Sequence, residues 1–147
     1  MTANNDSKSL NLQFDLPHPP AKVWRALTEP KLLAAWLMNS DFAPETGKAC
    51  TFRMEGNQWW DGIVHAKVLA ASPTTKLSYT WNTSGGAALD TVVTWTLTPT
   101  AAGTRLALEH SGFQPAQKFA FDGAGQGWQV NVDQKMRAVL ADLGDAS

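Results

Sequence analysis

The sequence predicts an α+β fold: a curved antiparallel sheet of about six or seven strands, two short helices near the N-terminus and a long C-terminal helix. Three observations carry this. Apolar and polar residues alternate in "LNLQFDL" and again in five segments after residue 40, the period of half-buried strands. Between residues 20 and 37, two short apolar stretches are each preceded by proline. Residues 126–144, "QGWQVNVDQKMRAVLADLG", carry an apolar stripe at helical spacing.

Each element follows from its residues. In the first strand Leu10, Leu12, Phe14 and Leu16 alternate with Asn11, Gln13 and Asp15, and "PHPP" ends it because proline cannot donate to a ladder. A short helix over residues 21–27, with Pro20 in its first turn, buries Val23, Trp24 and Leu27. Thr28 is the expected cap of a second helix, with Pro30 just inside and Leu32, Leu33, Trp36 and Leu37 on its apolar side. The strands after residue 40 are "KACTFRME", "QWWDGIVHAKVLAA", "KLSYTW", "TVVTWTLTP" and "GTRLALEHSGF". They place Cys50, Phe52, Met54, Trp60, Val64, Val68, Tyr79, Trp81, Val93, Trp95, Leu108 and His110 on one face. Short connections, including a hairpin-type "SGG", make the strands antiparallel neighbours. In the last helix Trp128, Val132, Met136, Val139, Leu140 and Leu143 share one side, and Gly144 is its stop. "FDGAGQG" reads as a loop leading from the sheet to that helix, placed to gate whatever lies beneath.

A helix is about 10–12 Å across with its side chains, whereas six strands at about 4.8 Å make a sheet more than twice as wide. The edges of such a trough need filling, and seven tryptophans supply bulk. Space left over is a pocket. Its expected lining is Trp36, Phe52, Met54, Trp60, Tyr79, Trp81, Trp95, His110, Trp128, Val132 and Met136.

Composition narrows the function classes. With 147 residues, 44% hydrophobic, the chain is expected to be one domain, its core at about residues 8–143 behind a loose tail at 1–7. A net charge of −1 with scattered Lys and Arg gives no footprint for nucleic acid. The polar start "MTANNDSKS" lacks a signal-peptide centre, no uncharged apolar run reaches the roughly eighteen residues of a membrane span, and a single cysteine excludes an internal disulfide. A cytoplasmic protein, monomer or homodimer, without membrane insertion is the expectation.

Few residues offer chemistry. His110 shares the inward parity of Leu106 and Leu108, so it is either a polar group in the pocket or a core histidine satisfied by an ordinary partner. It is the one weak catalytic candidate, as an acid or base with Arg53 or Glu55 near the rim, although parity turns those two outward. His65 faces water, and His18 lies between prolines without a visible helper. Three histidines so spaced make no metal motif, and no cofactor motif is present. Ser111 points away from His110, and Cys50 reads as an inert inward thiol. "GAGQG" lacks the βαβ unit and GKS or GKT of a phosphate loop. Gly62 either leaves space or marks a bulge.

"PPAKVWRALTEPKLLAAWL", "DGIVHAKVLAASPTTKLSYTW" and "GTRLALEHSGF" before a terminal helix resemble the family named for activators of the ninety-kilodalton heat-shock protein's ATPase, the AHSA type. That family lies in the START-like, or SRPBCC, group. The resemblance spans about residues 10–143 and implies a helix-grip fold. The group includes lipid and hormone carriers, polyketide cyclases and co-chaperone domains, so the fold leaves function open. Three functions are therefore expected in turn: a carrier of an apolar or aromatic molecule held under the last helix, a cyclase- or hydrolase-like enzyme using His110, or a chaperone-associated domain tied to stress response.

Overall fold

Seven strands form one antiparallel sheet in the order β1-β7-β6-β5-β4-β3-β2. The computed structural model describes residues 8–56, 61–83 and 89–143. The strands are β1 (Lys8–Leu16), β2 (Asn39–Ser40), β3 (Ala49–Arg53), β4 (Ile63–Ser72), β5 (Lys76–Thr83), β6 (Leu89–Thr100) and β7 (Gly103–Phe113). Trp60, the "SGG" turn, the tail at 1–7 and Gly144 lie outside the described residues.

Alternation decides which face is buried. Val93, Trp95 and Leu97 of β6 and Leu106, Leu108 and His110 of β7 turn inward, while Thr96, Thr98, Arg105 and Glu109 face water. The short β2 carries no alternation of its own. Ser40 belongs to the sheet because its hydroxyl donates to the Thr51 carbonyl at 2.7 Å, and Asn39 and Ser40 pair with Arg53 and Phe52. Curvature enters β4 at a bulge: Val68 pairs with Tyr79 and Ala70 with Ser78, leaving Leu69 as the extra, exposed residue.

The sheet wraps around the helices. α1 (Pro20–Thr28) and α2 (Pro30–Trp36) both begin on a proline. Thr28 is not the cap of α2. It ends α1, and its hydroxyl donates back to the Trp24 carbonyl at 2.8 Å. Pro30 forces the preceding residue into extended backbone, so Glu29 becomes the cap, its carbonyl accepting from Leu32 and Leu33.

The terminal helix starts earlier than the apolar stripe suggests. After a tight turn at Pro115–Gln117, α3 (Lys118–Val130), a π-helical segment (Asn131–Met136) and α4 (Arg137–Leu143) run on as one helix. "FDGAGQG" is thus helical and not a loop. Glycine costs a helix only about 1 kcal/mol per residue. The turn before it also supplies a start, with Pro115 in first position and Gln117 Oε1 accepting from the Gln114 N–H at 2.8 Å.

The π segment has a packing cause. Trp128, Val132, Met136 and Leu140 recur every four residues, and all are buried. In a regular α-helix each such step overshoots one turn by about 40°, so the stripe would drift by about 120° over three steps. A π turn, with about 4.4 residues, undershoots instead and brings the stripe back toward the core. Val139 and Leu143 flank it, half-buried.

Gly62 marks a close backbone approach. Its φ is +83°, its carbonyl accepts from the Met54 N–H at 2.9 Å, and a Cβ there would collide with the Met54 carbonyl oxygen. Gly62→Ala is therefore expected to lower the unfolding free energy by about 2 kcal/mol or more. Urea titration measures this, and an unchanged midpoint would contradict the account.

Candidate functional site

The aromatic face is packed solid over most of its area. Trp36 of α2 meets Trp95 of β6 edge-on at 6.0 Å, and Trp95 meets Trp128 of α3 at 5.4 Å and 86°. Phe52, Tyr79 and Trp81 lie tilted against one another, Phe52 5.6 Å from Tyr79 and 5.3 Å from Trp81. The Trp36 indole donates to the Ala26 carbonyl at 2.7 Å, and that of Trp95 to the Tyr79 hydroxyl at 3.0 Å.

A groove of about 500 Å³ opens beside this core, between the sheet and the first half of the terminal helix. Its floor and walls are Trp81 and Thr83 of β5, Leu89 of β6, His110 of β7, Met54 just past β3, and Leu37 and Met38 after α2. Its roof is one face of α3: Ala120, Gly123, Ala124, Gly127 and Trp128, with Asn131 beyond. These fall at intervals of three and four, so small residues line up on one side of the helix. A Cβ at Gly123 or Gly127 would meet nothing within 4 Å, whereas one at Gly125 would touch Leu10 of β1. The glycines thus divide between seating α3 on the sheet and leaving the groove wide.

The structure splits the expected lining. Met54, Trp81, His110 and Trp128 border the groove. Trp36, Phe52, Tyr79, Trp95, Val132 and Met136 do not; they are buried in the core, where the second half of the terminal helix packs against α1 and α2. Trp60 lies outside the described residues. Met54, expected to point inward, is 52% exposed, since β3 ends at Arg53 and the alternation ends with it. Leu37, Met38, Leu89 and the small face of α3 were not expected. The latter shows in the sequence only as Ala and Gly at helical spacing, a signal hidden once the segment is read as a loop.

His110 is 1% exposed, and both its ring nitrogens are engaged. The Trp128 indole N–H donates to Nδ1 at 3.0 Å. Thr91 Oγ1 lies 2.8 Å from Nε2 and 2.6 Å from the Trp81 carbonyl. A carbonyl only accepts, so the threonine hydroxyl donates to Trp81, and His110 donates from Nε2 to the threonine. The ring is therefore the neutral Nε2–H tautomer, with its basic nitrogen capped by an indole. Burial pushes its pKa down to about 4. Proton transfer to a guest would first break one of these bonds.

The remaining candidates are peripheral. Arg53 and Glu55 are exposed, and Arg53 Nε donates to Thr51 Oγ1 at 3.1 Å, as parity implies. His65 faces water. His18 does have a helper: its Nδ1 lies 3.1 Å from Nζ of the buried Lys22. Cys50 is buried, which pushes its thiol pKa up and keeps it protonated. Among the described residues no cluster of ligating side chains is suited to a metal ion, and no helix is long and apolar enough to cross a membrane.

A family model described as activator of Hsp90 ATPase homolog 1-like protein matches residues 17–141. The chain belongs to this family. Solved structures agree. The MLL2253 protein of Mesorhizobium loti is 40% identical with a TM-score of 0.84, over 92% of this chain and 98% of that one. Protein BH1534 of Bacillus halodurans is 24% identical with a TM-score of 0.74, over 90% and 96% of the two chains. DynU16, a putative protein of the dynemicin biosynthetic locus, is 23% identical with a TM-score of 0.67; it covers 96% of this chain, which spans 48% of it. The last two show the fold alone. No curated protein matches. The chain is thus an AHSA1-like member of the START-like group, and its sheet and terminal helix form the helix-grip fold.

In this member the buried histidine links stability to pH. Unfolded, His110 titrates near 6.5; folded, near 4. Between those values the unfolded chain binds the extra proton, so stability falls as pH drops from about 6.5 to about 4 and is fully present above that window. The contribution is up to about 3 kcal/mol. Glutamine can accept from Trp128 and donate to Thr91 without titrating there. Urea midpoints at pH 7 and 4.5 are expected to differ more for the wild type than for His110→Gln, and equal differences would refute the assignment.

Proposed function

We propose that this chain binds an apolar small molecule in the groove between the sheet and α3, and that its task is binding rather than chemistry. The observation that carries this reading is the roof. Gly123 and Gly127 stand inside a helix where alanine would fit without contact and would favour the helix by about 0.5–1 kcal/mol each. Local stability is forgone where the result is open volume. A size of about 500 Å³ lies within the range of small-molecule sites, and the walls are mainly apolar and aromatic. The capped state of His110 supports binding over acid–base catalysis.

A second reading, contact with a heat-shock chaperone, draws support from the family description alone. A lysate pull-down that enriches no heat-shock chaperone would discard it.

Filling the groove tests the first reading. The neutral dye Nile red is expected to bind the wild type and to lose affinity at least about tenfold in Gly123→Leu/Gly127→Leu, since a filled pocket excludes its guest. The same variant is expected to unfold at equal or higher urea. Gln129→Leu, on the exposed side of α3, serves as the control and keeps wild-type dye affinity. Failure of the wild type to take up dye, or unchanged uptake in the double variant, would end this reading.

A further inference from the structure

Among the described residues four tryptophans are buried: Trp36, Trp81, Trp95 and Trp128. Three spend their indole N–H inside the protein, on the Ala26 carbonyl, the Tyr79 hydroxyl and His110 Nδ1. Trp81 is the exception. Among the described residues its Nε1 has no acceptor, although the residue is only 8% exposed. Among the described residues no buried polar side-chain atom is left without a partner, so this N–H reaches accessible space. The open space that Trp81 borders is the groove.

The ring is also held there. Phe52 lies 5.3 Å from one side of Trp81, and Trp128 lies 5.0 Å away at 59°, forming an aromatic corner. The Trp81 carbonyl is tied to Thr91, and through it to His110. Packed between these rings, the indole directs its N–H to no acceptor among the described residues. A donor enclosed by apolar walls favours a guest that brings an acceptor.

Charge narrows the guest further. No described lining residue carries a formal charge, and the one titratable member, His110, is neutral. The sequence joining Thr83 to Leu89, Ser-Gly-Gly-Ala-Ala, has no ionisable side chain either. A carboxylate or ammonium placed here would lose water and gain no counter-ion.

Resting on the reading of the groove as a ligand site, we infer that its guest is an uncharged, flat, ring-bearing molecule with a hydrogen-bond acceptor such as a ketone oxygen, and that Trp81 Nε1–H donates to that oxygen. Trp81 is then the specificity-determining donor, and the corner it makes with Trp128 receives the ring.

Three probes on one tricyclic frame separate the elements of the inference: 9-fluorenone, fluorene and fluorene-9-carboxylate. By intrinsic fluorescence titration, fluorenone is expected to bind the wild type roughly three- to tenfold tighter than fluorene, the span of one neutral hydrogen bond. It should also bind tighter than the carboxylate. In Trp81→Phe the fluorenone preference is expected to collapse to about one while fluorene affinity is kept within about threefold. If that variant does not fold, the wild type still decides. Fluorenone, and not fluorene, should shift the Trp81 indole N–H resonance downfield in a proton–nitrogen spectrum. Equal binding of fluorenone and fluorene, a preference that survives in Trp81→Phe, or an unmoved resonance would overturn the donor role. Tightest binding of the carboxylate would overturn the neutral guest. In each of these cases the groove remains a ligand site. Failure of all three probes to bind would overturn this inference and count against the ligand site itself.

Discussion

The hydrogen bond from the Trp128 indole to His110 Nδ1 is the constraint on which the site depends. It joins the terminal helix to β7, the strand next to the β1 edge of the sheet, through two buried rings, where competing water is excluded. It fixes the histidine tautomer, which fixes the direction of the bond to Thr91, which in turn holds the Trp81 carbonyl. One interaction thus sets the helix over the sheet, leaves the imidazole neutral and positions the wall of the groove. The order of events is physical: burial disfavours the charged ring, neutrality leaves one acceptor and one donor, and each meets a single complementary group.

The terminal helix does two incompatible jobs in its two halves. From Val132 onward large side chains enter the core beside α1 and α2, and the π segment keeps their four-residue spacing aligned. Before Trp128, alanine and glycine on one face of the helix border the groove. The junction between packed and open lies at Trp128 itself, which is why that residue belongs to both the core and the groove.

Much of this was legible in the chain of residues. Strand alternation revealed the sheet, its buried face and the inward placing of His110, because period two is a local property. Proline marked both short helices. The bounds that failed were those set by competition between local signals. Thr28 looked like a cap, but Pro30 moved the cap to Glu29. "FDGAGQG" looked like a loop because glycine disfavours helices, yet the turn at Pro115–Gln117 nucleates one through it. The groove's position was hidden for the same reason. A list of inward aromatics does not say which of them touch each other and which touch space. That depends on how far α3 stands from the sheet, and small side chains decide it without any periodic apolar signal.

The pairing of β1 with β7 carries a further consequence, for assembly. Asp15 meets Arg105 at 3.0 Å across 90 residues of sequence, and the Asp15 carbonyl accepts from Arg137, still farther along the chain. During synthesis the first strand therefore leaves the ribosome long before β7, its neighbour in the sheet, exists. Until then its backbone donors and acceptors are satisfied by water, or by whatever other unpaired strand is at hand. Closing that register is a long-range event of the slow kind, so the newly made chain passes through an interval in which self-association competes with completion of its own sheet.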